Sequence, residues 1–578
     1  PPRALGRRRP AVAGRLRAGL RALQHDAPPR RVPLPTYPFN RKRHWLAQNA
    51  AAPVQGRSGA HLALLDWRYA EAPELRPLRR AAILGGDAAL AGALAEKLRA
   101  RGVEAHCWRE LPAQRDIELL VALTPDFDAL ARLAGQLASQ PARLLVVTRN
   151  AQLDDENADA DAAMTAAAAL AIGQELPELS LRQVDLAGGD PARRPRQLAA
   201  LADECLASGP AVLVLSDGRR RAPSLCPLDV PATTAAQAGA VTLITGGFGN
   251  VGMAFARRLA GAGAAKLALL GRRIPADDDP RLLELRALGA EVLPLAGDIA
   301  EPGVARQAVE AALARFGRLD AVIHAAGIAG DAAHRPILET DAAESAAIWA
   351  AKRDGSLHLA EALQGLPLDH VLLCSSLSTV LGGLGFAAYA AGNRWLEVFA
   401  ERQSRSGDTR WLALAFDGWR FDEPAGKDAA LSEAQGVALA EQAIAAGLSG
   451  RVLASAGQLQ ERLARWTQGG GETDAAPAAP VDIAGYANPT EAIVAQTLAE
   501  TLALPAIGPD DNFFELGGDS LVATRVIAKL RGATGLPLSV GLVLQAPTVR
   551  LLAAAIAALQ GGAAAVADDA EEYEEGAL

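Results

Sequence analysis

The segment YAAGN, residues 389–393, sets a tyrosine at the expected start of a helix. The apolar run VLLCSS, residues 371–376, reads as a buried strand ending in serines. A strand-end serine, Ser376, and a first-turn tyrosine, Tyr389, on the next helix can converge on one substrate oxygen. A phenol with a pKa of about 10 is a weak acid for work near neutrality, and a nearby ammonium lowers it by favouring the phenolate. A lysine four residues after the tyrosine would serve, but position 393 is Asn393. Lys352, in AAKRDGSLHLAEAL, lies upstream on a long helical pattern. That helix should run along the sheet beside the one bearing Tyr389, so its amine can reach the place a lysine at 393 would have reached. The set suits carbonyl reduction, in which a developing alkoxide needs a proton and hydrogen-bond donors.

Reduction needs a hydride source, and the elements around this set provide for one. The run VTLIT is a buried strand, followed by GGFGNVG and the helix MAFARRLAGAG. Gly247, Gly249 and Gly252 form GxGxxG between strand and helix, with Asn250 inside the loop. The first glycine is expected to make the tight turn, the second to let the backbone approach a pyrophosphate, and the third to let the helix pack, its N-terminus toward the phosphates. The next strand, AKLALL, ends in Arg272 and Arg273. An acidic residue there would hold the adenosine 2′-hydroxyl; two arginines suit a 2′-phosphate and so NADPH. Asp298, after the third strand, is placed to meet the adenine edge. The fourth strand ends in VIHAAG, where Ala325, Ala326 and Gly327 let the backbone lie against the cofactor.

The wider pattern is α/β. An earlier block, roughly 62–227, has the same rhythm of apolar strands (IELLVAL, RLLVVT, AVLVLS) and helices, but its first turn, GGDAAL, lacks the third glycine. It reads as a Rossmann-like domain without a cofactor site. A basic strip at 1–43, a proline-rich linker at 467–485 and an acidic tail complete the chain. The 578 residues carry a net charge of −8 and half are hydrophobic, which fits a soluble multidomain protein and gives no reason to invoke nucleic acid. Four scattered cysteines without a CxxC pair fit neither a disulfide framework nor a metal site, and suit a reducing cytoplasm. No apolar run is long enough for a bilayer. The start without methionine suggests a piece of a longer polypeptide.

The ordered set Lys352, Ser376, Tyr389 and Asn393 resembles the ketoreductase of modular polyketide synthases, in which lysine and asparagine exchange places relative to ordinary short-chain dehydrogenases. PLPTYPFNRKRHWL (33–46) looks like the linker after a ketosynthase–acyltransferase region, LLDWRY (64–69) like the start of the ketoreductase, and DNFFELGGDSL (511–521) like a carrier-protein signature. The resemblance implies two Rossmann-like subdomains, a structural one at 61–230 and a catalytic, NADPH-binding one at 231–466. A linker at 467–485, a four-helix carrier at 486–560 and a disordered tail at 561–578 would follow, with linker remnant at 1–60. It implies that Tyr389 is the general acid, that Ser376 binds the substrate carbonyl, that Lys352 lowers the phenol and holds the nicotinamide ribose, and that Asn393 orders backbone and water around the lysine. Ser520 would carry phosphopantetheine added by a separate transferase, and β-ketoacyl thioester would become β-hydroxyacyl thioester. Partners would be a ketosynthase and an acyltransferase. Two departures concern stereochemistry. The family's LDD stretch is Ala329-Gly330-Asp331 here, and Leu381 occupies the position of a tryptophan marker; retention of Asp331 favours the B-type, D-configured product. A dead reductase fold that merely presents the carrier is the alternative, and the full glycine loop and tetrad argue against it. A terminal thioester reductase would follow the carrier and keep YxxxK, and neither holds.

Overall fold

A computed structural model describes residues 59–559 apart from short gaps (112–116, 139–141, 154–156, 177–178, 232–237, 264, 329–332, 422–429, 468–485, 487 and scattered positions between 503 and 545). The basic strip, most of both linkers, the acidic tail and Asp331 lie outside the described residues.

Fifteen strands form one continuous sheet. In the second half, seven parallel strands run in the order 291–296, 266–271, 241–245, 321–324, 370–376, 410–416 and 450–455. All but the edge strand Glu291–Ala296, which is only half-buried, are runs buried on both faces, as a sheet covered by helices on both sides requires. The order reverses between Val241–Thr245 and Ala321–His324, and such a switch point leaves a crevice at the carboxyl ends of the strands. In the first half, Glu104–Trp108, Arg80–Gly85, Leu119–Leu123, Ala142–Arg149, Leu179–Ala187 and Val212–Ser216 are parallel neighbours in that order, with a comparable switch between Arg80–Gly85 and Leu119–Leu123.

The strand His61–Tyr69, which contains LLDWRY, joins the halves. It pairs antiparallel with Arg219–Pro227 along Ala63–Tyr69 and with Gly450–Ser455 along His61–Ala63. The halves also share a core. Helix Ala387–Ser406 lies on helix Ala160–Glu175, and one apolar cluster runs from Leu130, Leu133 and Ile172 to Trp349 and Leu396. Phe127 meets Trp349 edge-on at 4.8 Å between ring centroids. A buried ionic network lies at this seam. Glu397 accepts from Ser375 (2.7 Å) and Thr379 (2.9 Å) and pairs with Arg394 and Arg451, while Arg394 also donates to the Ala151 carbonyl of the first half (3.1 Å).

Past the linker, helices Pro489–Leu502 and Ser520–Thr534 and helical residues 549–559 enclose a small separate core that includes Val494, Leu498, Phe513, Val526, Leu530, Leu552 and Ile556. Among the described residues, no helix is long and apolar enough to cross a membrane.

Candidate active site

The glycine loop closes on the crevice at the switch point. Gly246, not Gly247, holds the left-handed turn, at φ +67°, so the sequence reading placed the turn one residue late. Gly247 is required for space: a Cβ there would lie 2.9 Å from the Ile244 carbonyl and 2.9 Å from Leu269 Cβ. A Cβ on Gly252 would lie 2.4 Å from the Gly246 carbonyl, so that glycine seats helix Asn250–Gly261 on the loop. Gly249 is the N-cap, in extended backbone, and no side chain caps the helix. The first turn, with Asn250 at its first helical position, therefore presents unpaired N–H groups of the kind that bind phosphate. Arg272 and Arg273 are exposed just past Lys266–Gly271, and neither forms an ion pair among the described residues. Asp298 accepts from the Ala300 amide at 3.0 Å. Ala325 and Ala326 back Gly246 closely, Ala325 through its carbonyl.

The side chains expected to be catalytic lie at the same ends of the strands. Ser376 closes His370–Ser376, and Tyr389 stands in the first turn of Ala387–Ser406. Lys352 projects from helix Ala342–Ala362, whose start is fixed by a capping box between Asp341 and Glu344. That helix approaches the tyrosine helix through Gly392, where a Cβ would lie 2.7 Å from Trp349 Cβ. The Lys352 amine is buried, donates to the Cys374 carbonyl at 2.9 Å, and passes within 3.4 Å of where a Gly327 Cβ would be. Burial lowers its pKa to about 8 against the opposing pull of Cys374 and Glu397. The lysine helix thus lies beside the tyrosine helix, as expected.

The phenol differs from expectation. Burial raises the Tyr389 pKa above its ordinary value, and hydrogen bonding by the Asn393 and Ser376 side chains only partly offsets this. Lys352 is not among the groups that shift the phenol; its amine donates to the Cys374 carbonyl. Asn393, fully buried, donates to the Tyr389 carbonyl at 2.9 Å and so orders the helix backbone, while its Oδ1 has no protein partner.

His324 escaped the sequence reading. It is fully buried, and burial lowers its pKa to about 3, so it is neutral. Its Nε2 lies 3.1 Å from the Ala351 carbonyl, which can only accept, so Nε2 carries the proton. Nδ1 then accepts from Thr245 Oγ1 at 2.6 Å. The ring thus ties the strand before the glycine loop to the backbone beside Lys352. Gly355 allows the approach: a Cβ there would lie 2.9 Å from Ile299 and 3.5 Å from the His324 ring.

Leu381 is buried in the segment before Tyr389. Ser520 opens the second carrier helix. A separate cavity of about 380 Å³ lies at the opposite ends of the strands, lined by Thr242, Asp320, His370 and Glu441, and contains none of the catalytic set. Among the described residues no cluster of histidine, cysteine and acidic side chains could hold a metal ion.

This geometry agrees with the known proteins the chain is similar to. Residues 240–420 match the KR domain family, and 492–556 match the phosphopantetheine attachment site family. This is the ketoreductase and carrier region of a polyketide synthase. The chain is 36% identical over 178 residues to phthioceranic/hydroxyphthioceranic acid synthase of Mycobacterium tuberculosis, a match covering 31% of this chain and 8% of that protein. It is 30% identical over 350 residues to a phenolphthiocerol/phthiocerol polyketide synthase of the same species, covering 55% of this chain and 19% of the relative. The match thus spans a small part of the length of these relatives. Among solved structures, the ketoreductase from the first module of phoslactomycin biosynthesis in Streptomyces sp. HK803 superposes with a TM-score of 0.60 at 26% identity, over 70% of this chain and 96% of that one. The first ketoreductase of the tylosin synthase shares the fold, with a TM-score of 0.58 at 24% identity, over 70% of this chain and 94% of that one.

Proposed function

We propose that this polyketide synthase region uses NADPH to reduce a β-ketoacyl thioester, carried on a phosphopantetheine arm at Ser520, to the β-hydroxyacyl thioester. The observation that supports the reading is the contact between the Ser376 and Tyr389 side chains at a strand end, with Lys352 bonded to the same strand and an uncapped helix N-terminus at the switch point. The cradle fits a dinucleotide: Gly247 and Gly252 stand where any side chain would collide, and the first turn keeps its N–H groups for a pyrophosphate. Gly247, Gly249, Asn250 and Gly252 would hold the phosphates, Arg272 and Arg273 the 2′-phosphate, Asp298 the adenine edge, and Ala325, Ala326 and Gly327 the adjoining face. The bound cofactor supplies the hydride.

Ser376 Oγ donates a hydrogen bond to the substrate carbonyl as charge grows on it, and the Tyr389 hydroxyl gives its proton to that oxygen. The raised phenol holds that proton until an alkoxide, a far stronger base, forms. Lys352 would hold the nicotinamide ribose, and Asn393 keeps the Tyr389 turn in place. The carrier would be loaded by a separate phosphopantetheinyl transferase, and a ketosynthase and an acyltransferase would supply the β-ketoacyl chain. Asp331 and Leu381 favour the B-type, D-configured alcohol, decided by chiral chromatography of the product.

The test is turnover of a β-ketoacyl pantetheine thioester. Tyr389→Phe should lower kcat at least about 100-fold while leaving NADPH binding intact. Turnover near wild type would overturn the assignment. In parallel, Ser520→Ala should abolish the mass gain produced by coenzyme A and a phosphopantetheinyl transferase.

A further inference from the structure

The cofactor-free half reaches into the active site at one point. Helix Ala160–Glu175 ends with Gln174 and Glu175. Glu175 is almost fully buried, and its carboxylate accepts two backbone amides: Ile337 at 2.7 Å and Gly385 at 2.9 Å. Gln174 does the same for the adjoining turn, donating to the Leu381 carbonyl (2.8 Å) and accepting from the Gly383 amide (2.6 Å). The two loops so held are stitched to each other, since the Arg335 amide donates to the Gly385 carbonyl at 3.0 Å. The loops lead directly to the chemistry. Phe386 meets His334 edge-on at 4.4 Å and lies tilted against Tyr389 at 5.5 Å, between ring centroids. Gly382 and Gly385 have positive φ, and a Cβ on Gly382 would lie 2.4 Å from the Gln174 oxygen, so the backbone is shaped to this contact.

A carboxylate is costly to bury, and two amides with no intervening charge pair are a modest return unless the contact serves something else. We infer that Glu175 and Gln174 are positioning residues, through which the cofactor-free half fixes the two loops that wall the substrate side of Tyr389. This rests on the reductase reading above. It gives the non-binding half a specific task, holding the acyl chain's wall at a fixed distance from the phenol, beyond simple support. The carrier stands at the same corner: Leu384 packs against the carrier core, and the Arg531 charge acts on Glu175.

The clamp needs both carboxylate oxygens as acceptors. Burial raises the Glu175 pKa to about 7; the Ile337 and Gly385 amides and Arg531 pull it down, and Glu339 pushes it up. The charged form therefore holds both loops above about pH 7, and protonation turns one oxygen into a donor below it. Because the folded pKa lies above the unfolded one, the folded chain gains stability as pH falls through this range while the clamp loosens. Loosening and unfolding thus move in opposite directions with pH.

The experiment compares wild type, Glu175→Gln and Gln174→Ala in the whole chain. Glutamine keeps one acceptor and turns the other into a donor facing an N–H. It should raise KM for a β-ketoacyl pantetheine thioester about tenfold, the effect of losing one charge-assisted hydrogen bond, and leave NADPH binding unchanged. Wild-type KM should rise as pH falls from 8 to 6, and the Glu175→Gln KM should stay flat. Deuterium uptake should quicken in peptides covering 333–340 and 382–389 and stay unchanged in 241–252. Gln174→Ala, at the half-buried neighbour, should give a smaller KM increase, about threefold, with faster exchange confined to 381–385. Wild-type KM and wild-type exchange in both variants would overturn the inference. If wild type itself fails to reduce the thioester, the reductase reading fails, and loop exchange still decides the clamp.

Discussion

Two halves of one sheet use the same turn in opposite ways. In each, a parallel strand runs through glycines into a helix at a switch point. The catalytic half leaves its helix N-cap to Gly249, with no side chain on the first-turn amides. The first half fills its own. Asp87 caps Ala88–Arg99 by accepting the Leu90 amide at 2.9 Å, and Arg149 lies 3.4 Å from the same carboxylate. Three residues past each N-cap stand Gly252 in one half and the fully buried Leu90 in the other. At the strand ends, the catalytic half pairs Thr245 with His324, and the other half pairs Leu84 with Ala122. On the proposed reading, one fold serves as a cofactor site or a scaffold according to whether the helix N-terminus is left uncapped or satisfied from within the chain. The difference rests on a handful of positions, and exchanging them is the sharpest way to test it.

The largest effect should follow Gly252→Leu, which copies Leu90 into the catalytic half. Its Cβ would begin 2.4 Å from the Gly246 carbonyl, so the helix must move off the loop. NADPH affinity, read by fluorescence titration, should fall at least about 100-fold, and the melting midpoint should drop with it, since overpacking typically costs about 1–3 kcal/mol. Next comes Gly249→Asp, which copies Asp87. The backbone at 249 is extended and tolerates the substitution, with a Cβ 3.3 Å from the Gly246 carbonyl. An aspartate there caps the helix and places a carboxylate where a pyrophosphate would sit. Stability should rise by a few tenths of a kcal/mol while NADPH affinity falls about tenfold or more. Movement of both quantities in the same direction would show that the N-terminus is not the phosphate site.

Much of this comparison was legible in the sequence, because it is local. The missing third glycine, the strand–loop–helix order and the serine–tyrosine spacing all lie within one or two elements. The displaced lysine was also legible, because a long helix beside the tyrosine helix follows from doubly wound topology. What escaped depends on contacts far apart in sequence. Glu175 meets Ile337 and Gly385 across 162 and 210 residues, and nothing near it marks it as more than a helix end. His324 looked like part of a small-residue strand end, although its partners Thr245 and Ala351 belong to two other elements. The left-handed turn fell on Gly246 because two adjacent glycines can share a motif and only backbone geometry says which one turns. The phenol's direction was misread because spacing reports which groups are near and not how deeply burial desolvates them.

A moderate effect is expected at His324, where the halves differ in polarity. His324→Ala copies Ala122 and removes the link between Thr245 and the Ala351 carbonyl, leaving both without that partner. Loss of such a buried pair typically costs about 1–3 kcal/mol. The sign of its pH dependence is fixed: the folded pKa of about 3 lies below the unfolded value, so the unfolded chain binds the proton more readily. The histidine's contribution is complete above about pH 6.5 and is lost as pH falls from there toward 3. Denaturant midpoints between pH 7 and 4 should therefore fall less steeply in His324→Ala than in wild type; equal slopes would mean that the ring is not held neutral by the fold.

The smallest effect should come from undoing the scaffold's own plug. Asp87→Ala removes the cap from Ala88–Arg99 and the weak pairing with Arg149. An N-cap aspartate is worth about 1 kcal/mol and a half-exposed ion pair little beside it, so stability should fall by about 1 kcal/mol. Emptying the N-terminus should still not create a cofactor site. A buried leucine, Leu90, still stands three residues past the N-cap, where the other half has Gly252 seating its helix on the loop. Turnover should match wild type, and titration should find one NADPH per chain in the variant as in the parent. A second NADPH bound by Asp87→Ala would show that a carboxylate alone separates the two halves, and that the leucine contributes little to the difference.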